Sequence, residues 1–348
     1  MPESQSGRLT RAEIYQQPET WPETVARVRR AGLRDLAPPV LTGAGTSAYA
    51  AQAVEAGWPG SRAVPSTELF LDFGRYLAQE GLVVSLARSG DSPESLAVVS
   101  RIQRALPRVR HVALVANPDG KLAQWPGVEA ILLDPRSNDR SLVMTSSFTN
   151  LVLAGLALAR PEEVERALPV LCQSVREALP RLDEEAAGWA GRDPERVVAL
   201  ASPALMGAAR EACLKILEMT AGRVAVLAET YLGLRHGPMS FLRRETLVLC
   251  FVSSDPALRR YELDLVRELR AKNLGRPIAL GVADDAPFEG ELATPASQLP
   301  DRLRTPAEIV FAQLLGWHLS RRFGLDPDHP SPARVITRVV EGVRIYED

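Results

Sequence analysis

The 348 residues are enough for two domains, and a composition of 46% apolar and 24% charged residues is typical of a globular chain. A formal net charge of -2 argues against a polyanion-binding surface, so no nucleic-acid partner is expected and any anion site has to be local. The start MPESQSGRLTRAEI lacks the apolar core of a secretory signal, and no run of ~18 apolar residues predicts a membrane span.

The three cysteines, Cys172, Cys213 and Cys250, are far apart in the sequence and show no CxxC spacing. They lie in apolar stretches, where free cysteines behave as small buried hydrophobic residues. We therefore expect buried free thiols, which fit the reducing cytoplasm.

The first predicted element is a helical preface over residues 1–36, because Trp21, Val25, Val28 and Leu33 recur at helical spacing. After it, short apolar runs alternate with helix-length segments, and the first run is followed by a predicted helix near 47–56. The runs lie at 40–43, 63–64, 82–86, 112–115 and 130–133. Such alternation predicts parallel strands joined by crossover helices on both faces of a sheet.

A second series of apolar runs begins near Arg196, at 197–202, 224–227, 246–252 and 278–282. The stretches that start at Glu80 and Glu245 share one pattern of strand, polar turn and amphipathic helix, at an offset of about 165 residues. We therefore predict an α/β fold made of two repeated units, each with a parallel sheet and helices on both faces. The predicted ranges are a preface (1–36), a first domain (37–185), a second domain (190–325) and a tail (326–348).

Two turns of the first series are expected to bind an anion, because helix N-termini that follow parallel strands present unpaired N–H groups at one sheet edge. The first, TGAGTSAYA, offers close backbone approach and hydroxyl groups at a helix start: Gly43, Gly45, Thr46 and Ser47. The second, SLARSGDSPES, offers an arginine and two serines around one tight turn: Arg88, Ser89 and Ser92. Together they predict a phosphate site.

Two other interpretations of these turns stay open. Ser92 precedes Pro93, and a serine in that place can simply cap a helix. Gly43-x-Gly45-x-x-Ala48, with Glu68 about 20 residues further on, satisfies a relaxed dinucleotide fingerprint and keeps an NAD-dependent dehydrogenase as a third function. A phosphate monoester uses both turns, whereas a pyrophosphate leaves the second without a role, so a phosphosugar is favoured.

The stretch AETYLGLRHGPMSFL places Glu229 and His236 in one irregular region between two apolar runs. A carboxylate and an imidazole there can act as a base and an acid, and a salt-bridged turn with a surface histidine is the simpler alternative. The remaining histidines, His111, His318 and His329, are expected in packing or surface positions. No HExxH, paired-cysteine, calcium-loop or GxSxG pattern predicts a metal site or a serine hydrolase.

GAGTS, SLARSGDSPES and AETYLGLRHGPMSFL together resemble the motifs of sugar isomerase (SIS) domain proteins with two SIS domains in tandem, as in the isomerase half of glucosamine-6-phosphate synthase. LTRAEIYQQPETW, ARSGDSPES and MTSSFTNL, at 144–151, are similar more specifically to the galactosamine-6-phosphate deaminase/isomerase branch. The resemblance covers nearly the whole chain and implies two tandem SIS domains, each a flavodoxin-like parallel sheet with helices on both faces.

The resemblance implies which residues bind the sugar phosphate: Gly45, Thr46, Ser47, Arg88, Ser89, Ser92, Thr145 and Ser146. It makes Glu229 the base that moves a proton between C1 and C2 of the sugar. It gives His236 a role in ring opening, from the neighbouring subunit of a homodimer. Glu218, in CLKILE, matches a further acidic site residue, and no metal or organic cofactor is implied.

The sequence departs from the synthase pattern at three points. Ala87 and Arg88 replace a Ser and a Gln, which changes the side chains expected around the phosphate. The tail DPDHPSPARVITRVVEG has no clear counterpart of the synthase's substrate-contacting lysine, and Arg334 and Arg338 are the basic candidates. No N-terminal cysteine glutaminase domain is found, so deamination or isomerisation is expected rather than synthesis from glutamine.

The predicted function is therefore that of an aldose–ketose sugar-phosphate isomerase/deaminase. It converts galactosamine 6-phosphate or glucosamine 6-phosphate to a ketose 6-phosphate and ammonia through an enolamine or enediol. A non-deaminating isomerase and a non-catalytic phosphosugar-binding regulator remain the alternatives.

Overall fold

The computed structural model describes residues 6–283, 287–331, 333, 335–340 and 342–346. Contacts within the chain divide it into two units. The first-sheet unit comprises 19–168 and 334–348, and the second-sheet unit comprises 1–18 and 169–333.

The apolar runs of the sequence become strands, because β-branched and other apolar side chains pack well on a sheet that is covered on both sides. In the described residues the strands are β1 (Val40–Gly43), β2 (Arg62–Pro65), β3 (Glu80–Ala87), β4 (Arg108–Val115), β5 (Val128–Leu132), β6 (Arg196–Ala201), β7 (Ala225–Thr230), β8 (Leu247–Phe251), β9 (Arg276–Leu280) and β10 (Gly290–Glu291). The sequence predicted all of them except β10, which has only two residues and no apolar run.

The strands form two parallel sheets of five strands each. The first sheet has the order β2-β1-β3-β4-β5, and the second, taken from its β7 edge, has the order β7-β6-β8-β9-β10. Numbered within its own sheet, each order is 2-1-3-4-5, the flavodoxin-like arrangement. The predicted α/β fold of two repeated parallel sheets is therefore confirmed, and the sequence repeat is also a repeat of topology.

Helices flank both sheets. In the described residues they are α1 (Arg8–Tyr15), α2 (Gln17–Ala31), α3 (Thr46–Glu55), α4 (Ser66–Leu71), α5 (Pro93–Ala105), α6 (Ser146–Ala159), α7 (Pro161–Ala190), α8 (Met206–Met219), α9 (Pro256–Ala271) and α10 (Asp301–Arg322). The predicted preface corresponds to α1 and α2, with Trp21, Val25 and Val28 buried and Leu33 half-buried beyond the end of α2. The predicted domain ranges 37–185 and 190–325 each contain one complete sheet, whereas the division between the units falls inside α7.

Each unit has its own apolar core. In the first-sheet unit, Val83 of β3 packs with Val98 and Ile102 of α5. Close packing of α3 on α6 requires Gly155, since a Cβ there would lie 2.5 Å from a methyl group of Val54. In the second-sheet unit, β6 and β8 pack against α9, and α10 packs against α8.

The three cysteines are free and buried, as predicted. Burial raises the pKa of the Cys213 thiol to about 12 and that of Cys250 still further, so both stay protonated. None of the helices in the described ranges combines the length and the apolarity that crossing a lipid bilayer requires.

His111 is buried in the first-sheet unit, in line with the packing or surface position that the sequence predicted for it. It lies in β4, only 2% exposed, and neither of its ring nitrogens has a hydrogen-bond partner in the described part of the chain. Burial lowers its pKa to about 4, because the imidazolium form loses its hydration there. The folded state therefore contains neutral His111 at any pH above about 4.

We expect the stability of the fold to decrease as the pH falls from 6.5 to 4. In that window the unfolded chain binds a proton at His111 and the folded chain does not, which costs ~3 kcal/mol at the lower end. The free energy of unfolding of the His111→Leu variant, measured against pH, should lose this part of the slope. The control His329→Gln changes an exposed histidine and should keep it. Identical slopes in His111→Leu and the unsubstituted chain would contradict the assignment.

Candidate active site

The turn between β1 and α3 is shaped by two glycines. A Cβ on Gly43 would lie 2.6 Å from Ser47 Cβ, and Gly45 has a φ of +56°, a conformation that favours glycine. Thr46 and Ser47 are buried in the first turn of α3, and no side chain caps that helix. The end of β1 thus lies close to the first turn of α3. The N–H groups of such a helix start are of the kind that bind an anion.

The turn between β3 and α5 carries the serines of SLARSGDSPES. Ser89 Oγ accepts a hydrogen bond from the Asp91 N–H at 3.2 Å, and Gly90 has a φ of +75°. Ser92 lies at the N-cap position of α5, yet its side chain makes no capping hydrogen bond. Capping therefore does not account for the Ser92 hydroxyl group.

The two turns lie next to each other. β1 pairs with β3 in parallel, with Thr42 opposite Ser85, so both turns begin at the same edge of the first sheet. Gly45, Thr46, Ser47, Ser89 and Ser92 thus follow neighbouring strands at this edge.

The equivalent edge of the second sheet is filled by carboxylates of the chain itself. Asp301 accepts hydrogen bonds from Ser253 Oγ at 2.5 Å and from Ser254 N and Oγ at 2.7 and 2.8 Å, in the turn after β8. Glu262 accepts from Ser202 Oγ, in the turn after β6, and from Ser253 N at 2.8 Å. In the described part of the first-sheet unit, by contrast, no carboxylate accepts a hydrogen bond from Ser47 or Ser92. The first edge is therefore the one left open to an external anion.

Arg88 lies in the same turn but is directed at backbone carbonyl groups. It is 7% exposed, and its guanidinium donates to Ser141 O at 3.3 Å, Leu142 O at 2.9 Å and Arg338 O at 2.7 Å. Arg338 in turn donates to Asn138 Oδ1 at 2.6 Å and to the Asp139 carbonyl. The two arginines thus connect the tail to the 138–142 loop, and the phosphate contact of Arg88 stays a prediction. Arg334 lies outside the described residues.

Thr145 and Ser146 begin α6, and both are fully buried. The Asp139 carboxylate accepts from the N–H groups of Thr145, Ser146 and Ser147 at 2.8, 3.0 and 2.9 Å. A carboxylate of the chain therefore already occupies this helix N-terminus, and substrate binding by Thr145 and Ser146 stays a prediction.

Glu229 is at the end of β7, in the second-sheet unit. Its Oε1 accepts from Thr230 N at 2.7 Å and Thr230 Oγ1 at 3.2 Å, and Gly233 N donates to Thr230 Oγ1 at 2.9 Å. A Cβ on Gly233 would lie 2.6 Å from Glu229 Oε1. The Glu229 carboxylate is thus seated on a tight turn that needs a glycine.

His236 follows on the same loop and is exposed. The loop is attached to α9 through its neighbour Arg235, whose Nε donates to Glu268 Oε2 at 2.7 Å. Lys272 Nζ donates to the other oxygen of Glu268 at 2.6 Å, and these two bonds lower the pKa of Glu268. The alternative that the sequence left open, a salt-bridged turn with a surface histidine, is therefore present: Arg235 forms the ion pair and His236 is exposed.

Glu218 lies on α8, and its partner is a residue that the sequence did not single out. Lys215 is fully buried, and its ammonium is 2.5 Å from Glu218 Oε2 and 3.5 Å from Glu211 Oε1. The only signal was a lysine in the apolar stretch CLKIL with acids three residues after and four residues before it. A buried ammonium has to be paired with carboxylates, and here it orients a partly exposed one.

The chain is similar over nearly its full length to proteins named D-galactosamine-6-phosphate deaminase AgaS. One from Escherichia coli is 35% identical, with 98% of this chain and 96% of that protein covered. A Streptomyces coelicolor protein that has this name provisionally is 37% identical, with coverage of 99% and 97%. No family model matches the chain.

Solved structures are also similar to the chain over most of its length. Tagatose-6-phosphate ketose/aldose isomerase from Escherichia coli matches with a TM-score of 0.85 and 32% identity, over 93% of this chain and 95% of that one. The C-terminal domain of glucosamine-fructose-6-phosphate aminotransferase from Francisella tularensis shares the fold, with a TM-score of 0.75, 18% identity and coverage of 93% and 99%.

The repeated 2-1-3-4-5 sheets and these matches define a protein with two tandem sugar isomerase (SIS) domains, and they confirm the predicted class of sugar-phosphate isomerases and deaminases. Within that class, the chain belongs to the family of the D-galactosamine-6-phosphate deaminase AgaS proteins.

Proposed function

We propose that the chain converts galactosamine 6-phosphate to tagatose 6-phosphate and ammonia. The observation that carries this proposal is the 34–37% identity, over almost the full length of both chains, to proteins that have this deaminase name. The open serine-lined edge of the first sheet supports it, since a sugar phosphate supplies the anion that the second sheet obtains from Asp301 and Glu262.

In this proposal the hydroxyl groups of Ser47, Ser89 and Ser92 and the N-termini of α3 and α5 bind the phosphate. Thr46 and Gly45 shape the first of these turns. Arg88 adds a positive charge behind the second turn while its donors fix the 141–142 backbone. Thr145 and Ser146 support the site less directly, because their N–H groups already donate hydrogen bonds to Asp139.

Glu229 is proposed as the base that removes the C2 proton of the open-chain sugar and returns a proton to C1. The electron pair of the C2–H bond forms an enolamine, which tautomerises to a C2 imine. Water then adds to C2 and ammonia leaves, which yields the C2 carbonyl of the ketose. His236 assists ring opening, and Glu218, oriented by Lys215, is the second acid of the site.

A general base contributes roughly 10²- to 10⁴-fold to such a rate, so anchoring of the phosphate has to supply much of the remainder. This division of work explains why the proposed site needs both a phosphate-binding edge and a separate set of acids.

A second candidate function is aldose–ketose isomerisation without loss of an amine. The 32% identical Escherichia coli structure is named a tagatose-6-phosphate ketose/aldose isomerase, which favours this alternative. The same Glu229 chemistry serves both reactions, since an enediol replaces the enolamine when C2 carries a hydroxyl group.

Ammonia release from galactosamine 6-phosphate and from glucosamine 6-phosphate, measured side by side with the purified chain, tests the function. We expect release from galactosamine 6-phosphate, and a slower release from its C4 epimer. No ammonia from either, together with interconversion of a non-aminated aldose and ketose 6-phosphate, would contradict deamination and favour the isomerase. Binding of these sugars without turnover would identify the regulator.

Changes at the Glu229 turn test the mechanism. Glu229→Gln should lower the rate roughly 10²- to 10⁴-fold, because the base is lost. Gly233→Ala should lower it roughly 10- to 100-fold, since its Cβ displaces the Glu229 carboxylate. Gly188→Ala, where a Cβ would have open space, is the matched control and should leave the rate unchanged. The rate at which the substrate's C2 proton exchanges with D₂O should fall together with the reaction rate. Full exchange in Glu229→Gln would contradict the role of Glu229 as the base. Glu218 would then be the candidate base, and Glu218→Gln would test it.

We also propose that the chain works as a homodimer in which His236 acts in the partner's site, and that it does so in the reducing cytoplasm suited to its three free thiols. The exposure of His236, with Leu232 49% exposed on the same loop, supports this arrangement, because a loop of this kind is available for contact with a second copy.

Mixing of two inactive variants tests the shared site. Glu229→Gln and His236→Asn chains, each inactive alone, should regain about a quarter of the original activity after subunit exchange, because half of the dimers then contain one intact site. No recovery, in mixed dimers verified by sedimentation and tagging, would show that both residues act within one chain.

A further inference from the structure

A large cleft of the second-sheet unit lies outside the candidate active site. Its volume is about 910 Å³, and it is bounded by α1, α7 and α10. Ligand pockets commonly measure ~300–1,000 Å³. None of the residues proposed for catalysis lines it, so its side chains need a separate explanation.

One carboxylate organises the wall of this cleft. Asp183 of α7 accepts from Arg11 Nη2 at 2.6 Å and from Tyr15 Oη at 2.5 Å, both on α1, and pairs with His318 Nε2 of α10 at 2.6 Å. Burial acts to raise the pKa of Asp183, but the hydrogen bonds from His318, Tyr15 and Arg11 outweigh it and leave the pKa well below its usual range. The wall is thus cross-linked by contacts of α1 and α10 with one carboxylate of α7.

The hydrogen bond to Asp183 also affects the protonation state of the Tyr15 phenol. Burial and the hydrogen bond to Asp183 raise the pKa of Tyr15 to about 12, so it remains a donor. At the start of α1, Trp317 Nε1 donates to Gly7 O at 2.8 Å, and a Cβ on Gly7 would lie 2.6 Å from that nitrogen. Hydrogen bonds through Asp183 therefore link the three helices that bound the cleft.

Three arginines line the cleft: Arg8, Arg11 and Arg321. Arg11 is paired with Asp183, and its guanidinium lies 5.9 Å from the Trp317 ring, while that of Arg321 lies 4.9 Å from the same ring. In the described part of the chain, Arg8 and Arg321 form no ion pair with a carboxylate. The acids that line the cleft are Asp183, already satisfied by its three partners, and exposed Glu184.

Arginines that line a cleft without a carboxylate partner are suited to phosphate, because the planar guanidinium offers parallel donors to two oxygens. The volume exceeds that of inorganic phosphate and accommodates a sugar-sized group beside it. We propose that this cleft is a second binding site, separate from the catalytic residues, for a phosphorylated small molecule whose phosphate is bound by Arg8 and Arg321.

Phosphate binding to a chain with the first site disabled tests this proposal. Ser47→Ala/Ser92→Ala is the common background, and equilibrium dialysis with labelled inorganic phosphate is run at constant ionic strength. We expect about one phosphate per chain. Adding Arg8→Gln/Arg321→Gln should weaken its binding about tenfold or more, as charge-assisted hydrogen bonds are lost.

The matched control is Arg244→Gln/Arg260→Gln, which removes two exposed arginines of the same unit that do not line the cleft. It should leave the affinity unchanged. No phosphate bound to the background chain, or equal weakening by both pairs of substitutions, would overturn the proposal.

Competition identifies the ligand class. Glucose 6-phosphate should displace the labelled phosphate from the background chain, since the cleft has room for the sugar. Failure of glucose 6-phosphate to compete would reduce the site to one for an inorganic ion and overturn the assignment to a phosphorylated metabolite.

Discussion

Unpaired hydrogen-bond donors at the carboxyl edge of a parallel sheet are the constraint on which this structure depends. Helices that start at such an edge present N–H groups and a positive partial charge, and these groups need an anion or water. The second sheet meets the need with Asp301 and Glu262, which accept from the serines of its two turns. Among the described residues, no carboxylate accepts from Ser47 or Ser92 in the equivalent turns of the first sheet, and this difference makes two copies of one topology suited to different tasks.

Asp301 also belongs to a buried charged cluster in the second-sheet unit. Arg304 is fully buried and donates to Asp301 at 2.9 Å and to Glu308, so the two acids share one guanidinium. Burial raises the pKa of Glu308 to about 7, although Arg304 opposes that shift. Asp139 has the same function at α6 in the other unit. Carboxylates of the chain thus occupy the helix starts that are not available to substrate.

The sequence was sufficient for the fold, and it supplied a hypothesis for the site. Apolar runs bounded by Gly, Pro and Ser predict strands, and nine were found in this way, while β10 lacked the apolar residues that produce the signal. Ser47, Ser92 and Glu229 were identified because their motifs are local in sequence. Lys215 was missed because its meaning depends on burial beside Glu211 and Glu218. The carbonyl partners of Arg88 were missed because they lie 53 to 250 residues away along the chain.

The local stability of a sheet edge depends on whether its donors bind a carboxylate of the chain or an anion from solution. A ligand that binds only the folded edge stabilises it by an amount that grows with ligand concentration relative to Kd, whereas a covalently attached carboxylate acts at any concentration. The Asp301 edge should therefore open equally often in starved and sugar-fed cells. If the sugar phosphate binds the Ser47 and Ser92 edge as proposed, opening of that edge, and with it exposure to proteases, should instead become rarer as the sugar phosphate accumulates, so the ligand would prolong the life of the protein that binds it.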